Sequence, residues 1–204
     1  SESGYVVWQS ETTGSGGEHI LFQSLDRNKR GTRIPVRVSQ ADDGRLEKNP
    51  KVAILRDGGA VVVWEAGVRA DRDIYLRLIA PNGTYLTADV RVNSHLSGIQ
   101  SNPALGVVAN GDIVVVWASH EQDGSGTGIY GQYFTTLGTR IGAEFRVNDQ
   151  TKRNQSSPGV AALADEGFVV AWISESIAGQ AIDGAPNLRS NLFGKRFDRK
   201  GKPT

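Results

Sequence analysis

Val61-Val62-Val63-Trp64 decides the fold: a run of β-branched residues closed by an indole and bounded by Gly and Asp. Runs of this kind read as strands buried on both faces. The same stretch returns as Tyr5-Val6-Val7-Trp8, Val114-Val115-Val116-Trp117 and Val169-Val170-Ala171-Trp172. The four tryptophans stand 56, 53 and 55 residues apart, so the chain is one unit repeated along its length.

Outward from this tryptophan strand, each unit has the same neighbours. A short strand precedes it in three units, introduced by Asn49-Pro50, Asn102-Pro103 and Ser157-Pro158 and rich in Ala and Gly. Tight turns, Asp57-Gly58-Gly59, Asn110-Gly111-Asp112 and Asp165-Glu166-Gly167, join it to the tryptophan strand. A loop of variable length leads to a third strand at Ile20 to Asp26, Ile74 to Ala80, Ile129 to Thr135 and Leu192 to Asp198. Its large members Leu21, Tyr75, Tyr130 and Phe193 alternate with polar Gln23, Arg77, Gln132 and Lys195, which predicts a half-exposed strand. An outer strand follows as Val36-Arg37-Val38-Ser39, Val90-Arg91-Val92-Asn93 and Phe145-Arg146-Val147-Asn148, with its Arg toward solvent as an edge strand requires.

Four antiparallel strands per period and one aromatic landmark per unit predict an all-β chain, a β-propeller of four-stranded blades. Tandem immunoglobulin-like sandwiches are the competitor, but each needs about seven strands and about a hundred residues. The blade units run approximately 1–48, 49–101, 102–156 and 157–204, in one repeat domain. The chain opens in a tryptophan strand and closes after a third strand, so the first and last blades are expected to be incomplete. Such a register predicts self-association, or a larger parent array, to complete the blades.

Composition narrows the function. Lys plus Arg (23) and Asp plus Glu (22) leave a net charge of +1, which argues against a nucleic-acid binder. No apolar run approaches the length of a spanning helix, so no membrane insertion is expected. The absence of cysteine removes disulfides, thiolate metal sites and thiol nucleophiles. Ser1-Glu2-Ser3 in place of an initiator Met suits a trimmed precursor and a fragment equally.

The consensus Gly-x-Val-Val-Val-Trp is carried best by the third unit. There it continues through Asp123 to Phe134, Glu144 to Asn148, and Gln155 with Pro158. It resembles the repeats of very large secreted bacterial proteins of the RTX and adhesin type. The resemblance spans almost the whole chain and implies a secreted or cell-surface setting and a use for calcium. It transfers no catalytic residue. The first unit departs from it, with Ser39 where the others have Asn.

In an antiparallel blade, the loops after the tryptophan strand share one end with the segments that cross to the next blade. The length variation of the repeat collects there, which makes that face the expected binding surface. It carries His95, His120, Asp123, Ser125, Asp149 and Asp183 as candidate ligand-binding residues. The loop Asp123-Gly124-Ser125-Gly126-Thr127-Gly128 offers a calcium ion the Asp123 carboxylate and backbone oxygens. It lacks the alternating carboxylates and final Glu of an EF-hand, and reads more readily as a turn with positive-φ positions. His19, His95 and His120 suit a zinc site only if they converge. The tryptophans suit sugar stacking, or packing between blades. No nucleophile elbow or other catalytic signature stands in the chain. These features predict a non-enzymatic binding or adhesion module for a glycan or protein ligand. A purely structural repeat is the alternative, and a propeller enzyme ranks behind both.

Overall fold

The strands follow the order that the repeat predicts. The computed structural model describes residues 4–11, 17–40, 44–180, 186–199 and 201–204, and among these the chain is all-β, without a helix. The first sheet holds β1 (Gly4–Glu11), β2 (Glu18–Leu25) and β3 (Val36–Arg37). The second holds β4 (Leu46–Ile54), β5 (Ala60–Val68), β6 (Asp71–Ile79) and β7 (Val90–Arg91). The third holds β8 (Gln100–Val107), β9 (Ile113–His120), β10 (Thr127–Phe134) and β11 (Arg140–Arg146). β12 (Gln155–Ala162), β13 (Phe168–Gln180) and β14 (Pro186–Phe197) make the fourth. Strands pair antiparallel throughout, in chain order within each sheet.

Each sheet turns its tryptophan face toward the sheet before it and its rear face toward the sheet after it. Val61, Val63, Ile74, Leu76 and Leu78 on the rear of the second sheet thus pack against Ile113, Val115, Trp117, Tyr130 and Phe134 of the third. The same interlock joins the first sheet to the second and the third to the fourth. β5 and β9 are therefore buried on both faces, as their β-branched runs predict. Trp64 and Trp117 are 1% and 0% exposed, which settles packing as their role. The leading strands follow one another through the molecule, β4 touching β8 and β8 touching β12. Their small residues are a packing requirement: a Cβ on Gly106 would lie 3.2 Å from Val114 and 3.5 Å from Val160 in the next sheet.

Three expectations are corrected. The X-Pro dipeptides do not introduce the leading strands but lie inside them. Register shifts at Lys48/Lys51, Ser101/Ala104 and Ser156/Gly159 mark bulges, and Asn49, Asn102 and Ser157 each adopt φ 52° there. A bulge is where a proline can sit within a strand, since it owes no ladder hydrogen bond at that point. The variable segments after the tryptophans are largely hairpin arms, not loops. β5 and β6 leave only residues 69 and 70 between them, and the β13–β14 ladder extends to Gln180 and Pro186. Polar residues continue these ladders because the backbone pairing does not depend on burial.

The third correction concerns the polar residues of the third strand, which are not exposed. Arg77 is 0% and Gln132 1% exposed. Arg77 donates to the Val38 carbonyl of the first sheet, pairs with Asp89 at 2.6 Å and lies 4.6 Å from the centre of the Tyr85 ring. Lys195, at the same position in the fourth sheet, donates to the Val147 carbonyl of the third at 3.1 Å. Gln132 is too short to cross, and Arg140 of β11 reaches the Val92 carbonyl instead, at 3.2 Å. Each junction between sheets is thus latched by a cation on an outer-strand carbonyl of the preceding sheet. The outer-strand arginines are likewise engaged: Arg37 lies 3.4 Å from Glu47 and Arg91 3.8 Å from Asp73.

Candidate functional site

The hairpin face is organised by a repeated side-chain clamp. Asn93 Oδ1 accepts from Ile74 N at 2.8 Å, while its Nδ2 donates to the His95 carbonyl at 2.7 Å. Asn148 repeats both bonds, to Ile129 N at 2.6 Å and to the Gln150 carbonyl at 2.7 Å. The first unit has Ser39 in place of that Asn, and Glu47 substitutes for it. Glu47 stands where the other units carry Gln100 and Gln155, and its carboxylate accepts from Ile20 N at 3.0 Å. The clamp fixes the start of each segment crossing between sheets, and so positions what those segments carry.

Beyond the clamp, the junction of the third and fourth sheets opens into a cavity of about 440 Å³. Trp172 and Phe193 form its floor, stacked with ring centres 6.1 Å apart. Phe193 is 49% exposed, whereas Tyr130 at the same repeat position is 7% exposed. The equivalent place over Tyr75 is filled by Arg45, whose guanidinium sits 5.0 Å from the ring centre and donates to the hydroxyl at 2.6 Å. Among the described residues at this repeat position, Phe193 is the aromatic left open, at 49% exposed. Asp149 enters from the third sheet, while Glu175 of β13 borders the cavity by its backbone and alternates to the face of Ile173 and Ile177. Lys195 Nζ lies 2.5 Å from Asp149 Oδ1 and anchors it, while Glu175 accepts from Asn154 Nδ2 at 2.9 Å. Ser174, Ser176 and Asn191 complete a polar wall. An aromatic floor, a polar wall and the Asp149 carboxylate can hold a polyhydroxylated ring through stacking and hydrogen bonds to its hydroxyls.

Of the candidate ligand-binding residues that the structure describes, Asp149 alone reaches this cavity. Asp123 and Ser125 share one turn, where Asp123 Oδ1 accepts from Ser125 N at 3.4 Å. Ser125 Oγ in turn accepts from Arg153 N at 3.2 Å. That turn also buries the Tyr130 hydroxyl, whose pKa is raised chiefly by desolvation and next by the Asp123 charge. His95 meets the clamp through its carbonyl, and His120 is exposed at the end of β9. Asp183 lies outside the described residues, as do Asp42 and Asp43. Among the described residues, no three His, Asp or Glu side chains gather to hold a metal ion. Sequence reasoning passed over Glu175, Phe193 and Lys195. The aromatic column of the third strand was visible, but which of its members stays uncovered depends on the neighbouring sheet.

No protein-family model matches the chain, and no curated protein does. Solved structures do. A protein of unknown function from Dyadobacter fermentans is similar at 10% identity with a TM-score of 0.58, over 93% of this chain and 50% of that one. A thermostable family-43 glycoside hydrolase is similar at 12% identity and TM-score 0.55, over 98% of this chain and 70% of that one. The endo-arabinase of Bacteroides thetaiotaomicron follows at 16% and 0.52, over 97% of this chain and 72% of that one. The chain therefore spans half the length of the first of these and about seven-tenths of the other two. At such identities the likeness is one of fold, and the fold is propeller-like. It overturns the expectation of a non-enzymatic adhesion module. Two of these structures, alike over nearly the whole chain, are a family-43 glycoside hydrolase and an endo-arabinase, which runs against that expectation.

Proposed function

We propose that the four sheets are blades of a propeller enzyme that hydrolyses glycosidic bonds, with the sugar held over Trp172 and Phe193. The observation that carries this reading is the Asp149 carboxylate, set in one cavity with the exposed Phe193 ring. Glycoside hydrolysis uses two carboxyl groups flanking the scissile bond, one as proton donor to the leaving oxygen and one as base or nucleophile. Asp149, whose charge Lys195 balances, is assigned to the water or the anomeric carbon. The ring faces supply apolar contact to the sugar, and Ser174, Ser176 and Asn191 meet its hydroxyls. A polymeric glycan is met outside the cell, and the likeness of the repeat to secreted bacterial proteins supports that setting.

Reducing-sugar release from linear arabinan and a wider panel of polysaccharides tests the proposal. Asp149→Asn should lower the rate by about 10²–10⁴-fold with the fold intact. No release from any substrate, or full activity in this variant, would sink it.

A further inference from the structure

One repeat position changes state at the end of the molecule. Ile20, Ile74 and Ile129 occupy the same place on the rear faces of the first three sheets, and each is 0% exposed. Their counterpart Leu192 is 78% exposed. Around it the rear face of the fourth sheet is apolar: Ile173 pairs with Leu192 and Ile177 with Leu188, with Val169 and Ala171 on the same side of β13. Ile177 and Leu188 are exposed as well. At the opposite end, the tryptophan face of the first sheet is uncovered. Val6 is 36% exposed, whereas Val62, Val115 and Val170 at the same position are 0% exposed.

The internal junctions say what such faces accept. Each rear face that is covered meets a tryptophan face, through the same aliphatic rows. The first and fourth sheets thus expose the two complementary halves of one interface. We propose that two copies of this chain pair head to tail, the rear face of each fourth sheet against the tryptophan face of the other's first sheet. The contact is heterologous, and with two copies it closes on itself and satisfies all four faces. A cationic latch is missing from it: Gln23 is the first-sheet residue at the latch position, and its amide is already spent on the Arg33 carbonyl at 2.6 Å. Pairing then rests on apolar burial and is reversible. It does not depend on the glycan reading and is scored by mass alone.

Light scattering from about 1 μM to about 100 μM should show a mass rising from 21.9 kDa to twice that value and stopping there. Leu192→Asp and Val6→Asp should each hold the protein at the monomer mass. Both side chains are exposed in the single chain, so the melting curve of each variant should match that of the wild-type monomer. Mixing the two variants should restore dimers, because one of the two junctions in a mixed pair carries neither substitution. A monomer at every concentration overturns the proposal. So does a dimer indifferent to Val6→Asp, which would mean rear-to-rear contact, and so does mass growing past the dimer.

Discussion

Replacing Arg77 with Ala removes the latch between the first and second sheets. Asp89, with 15% of its side chain exposed, loses its partner at 2.6 Å, and the buried Val38 carbonyl loses its donor. Removing one member of a buried ion pair costs about 3–5 kcal/mol, because the charge left behind stays desolvated. Burial also lowers the Arg77 pKa, with Asp89 the largest opposing influence, so the guanidinium depends on that carboxylate as much as the reverse. At about 2–4 °C per kcal/mol for a chain of this size, melting should fall by about 10 °C. Arg77→Lys should cost only about 1 kcal/mol, since Lys195 makes the corresponding bond in the fourth sheet. Arg77→Met with Asp89→Asn should recover much of the loss from Arg77→Met alone, by removing the stranded charge. Urea denaturation followed by circular dichroism, with thermal melts beside it, measures each value. A cost under about 1 kcal/mol for Arg77→Ala, or equal costs for Ala and Lys, would refute the latch.

Two further outcomes are expected. Glu47→Gln should destabilise by about 1–2 kcal/mol by weakening the contact with Arg37, and adding Ser39→Asn should recover most of it by rebuilding the clamp of the middle sheets. A double-mutant cycle showing strict additivity would count against that. Burial raises the pKa values of Tyr85, Tyr130 and Tyr133 above the ordinary 10.0. Raised values favour the protonated folded state, so their contribution is whole below about pH 10 and is lost as pH climbs above it. Melting temperatures from about pH 8 to about pH 11 should therefore decline at the alkaline end, and less steeply in Tyr133→Phe.

Much of the architecture was legible because repetition supplies its own controls. Four valine runs ending in Trp, with turns at constant offsets, leave little freedom in strand order, and the structure follows it. Reading failed where a residue's surroundings come from another sheet. Arg77 alternates with large residues as an exposed side chain would, yet it is buried because Val38 and Asp89 receive it. Pro50, Pro103 and Pro158 look like strand starts until the bulge that admits them is seen.

The candidate site shows the same division. Local pattern pointed to the end of the sheets where this cavity lies, and Asp149 is among its lining residues. By itself the sequence determined the period, the strand order and the tryptophan core, since these depend on backbone pairing and on apolar spacing within a few residues. Tertiary structure alone decided which aromatic lies open and which carboxylate stands beside it. Tyr75 is covered by Arg45 and Tyr130 is buried, whereas Phe193 is neither, and that difference arises between sheets. Exposure is a property of the neighbour as much as of the residue.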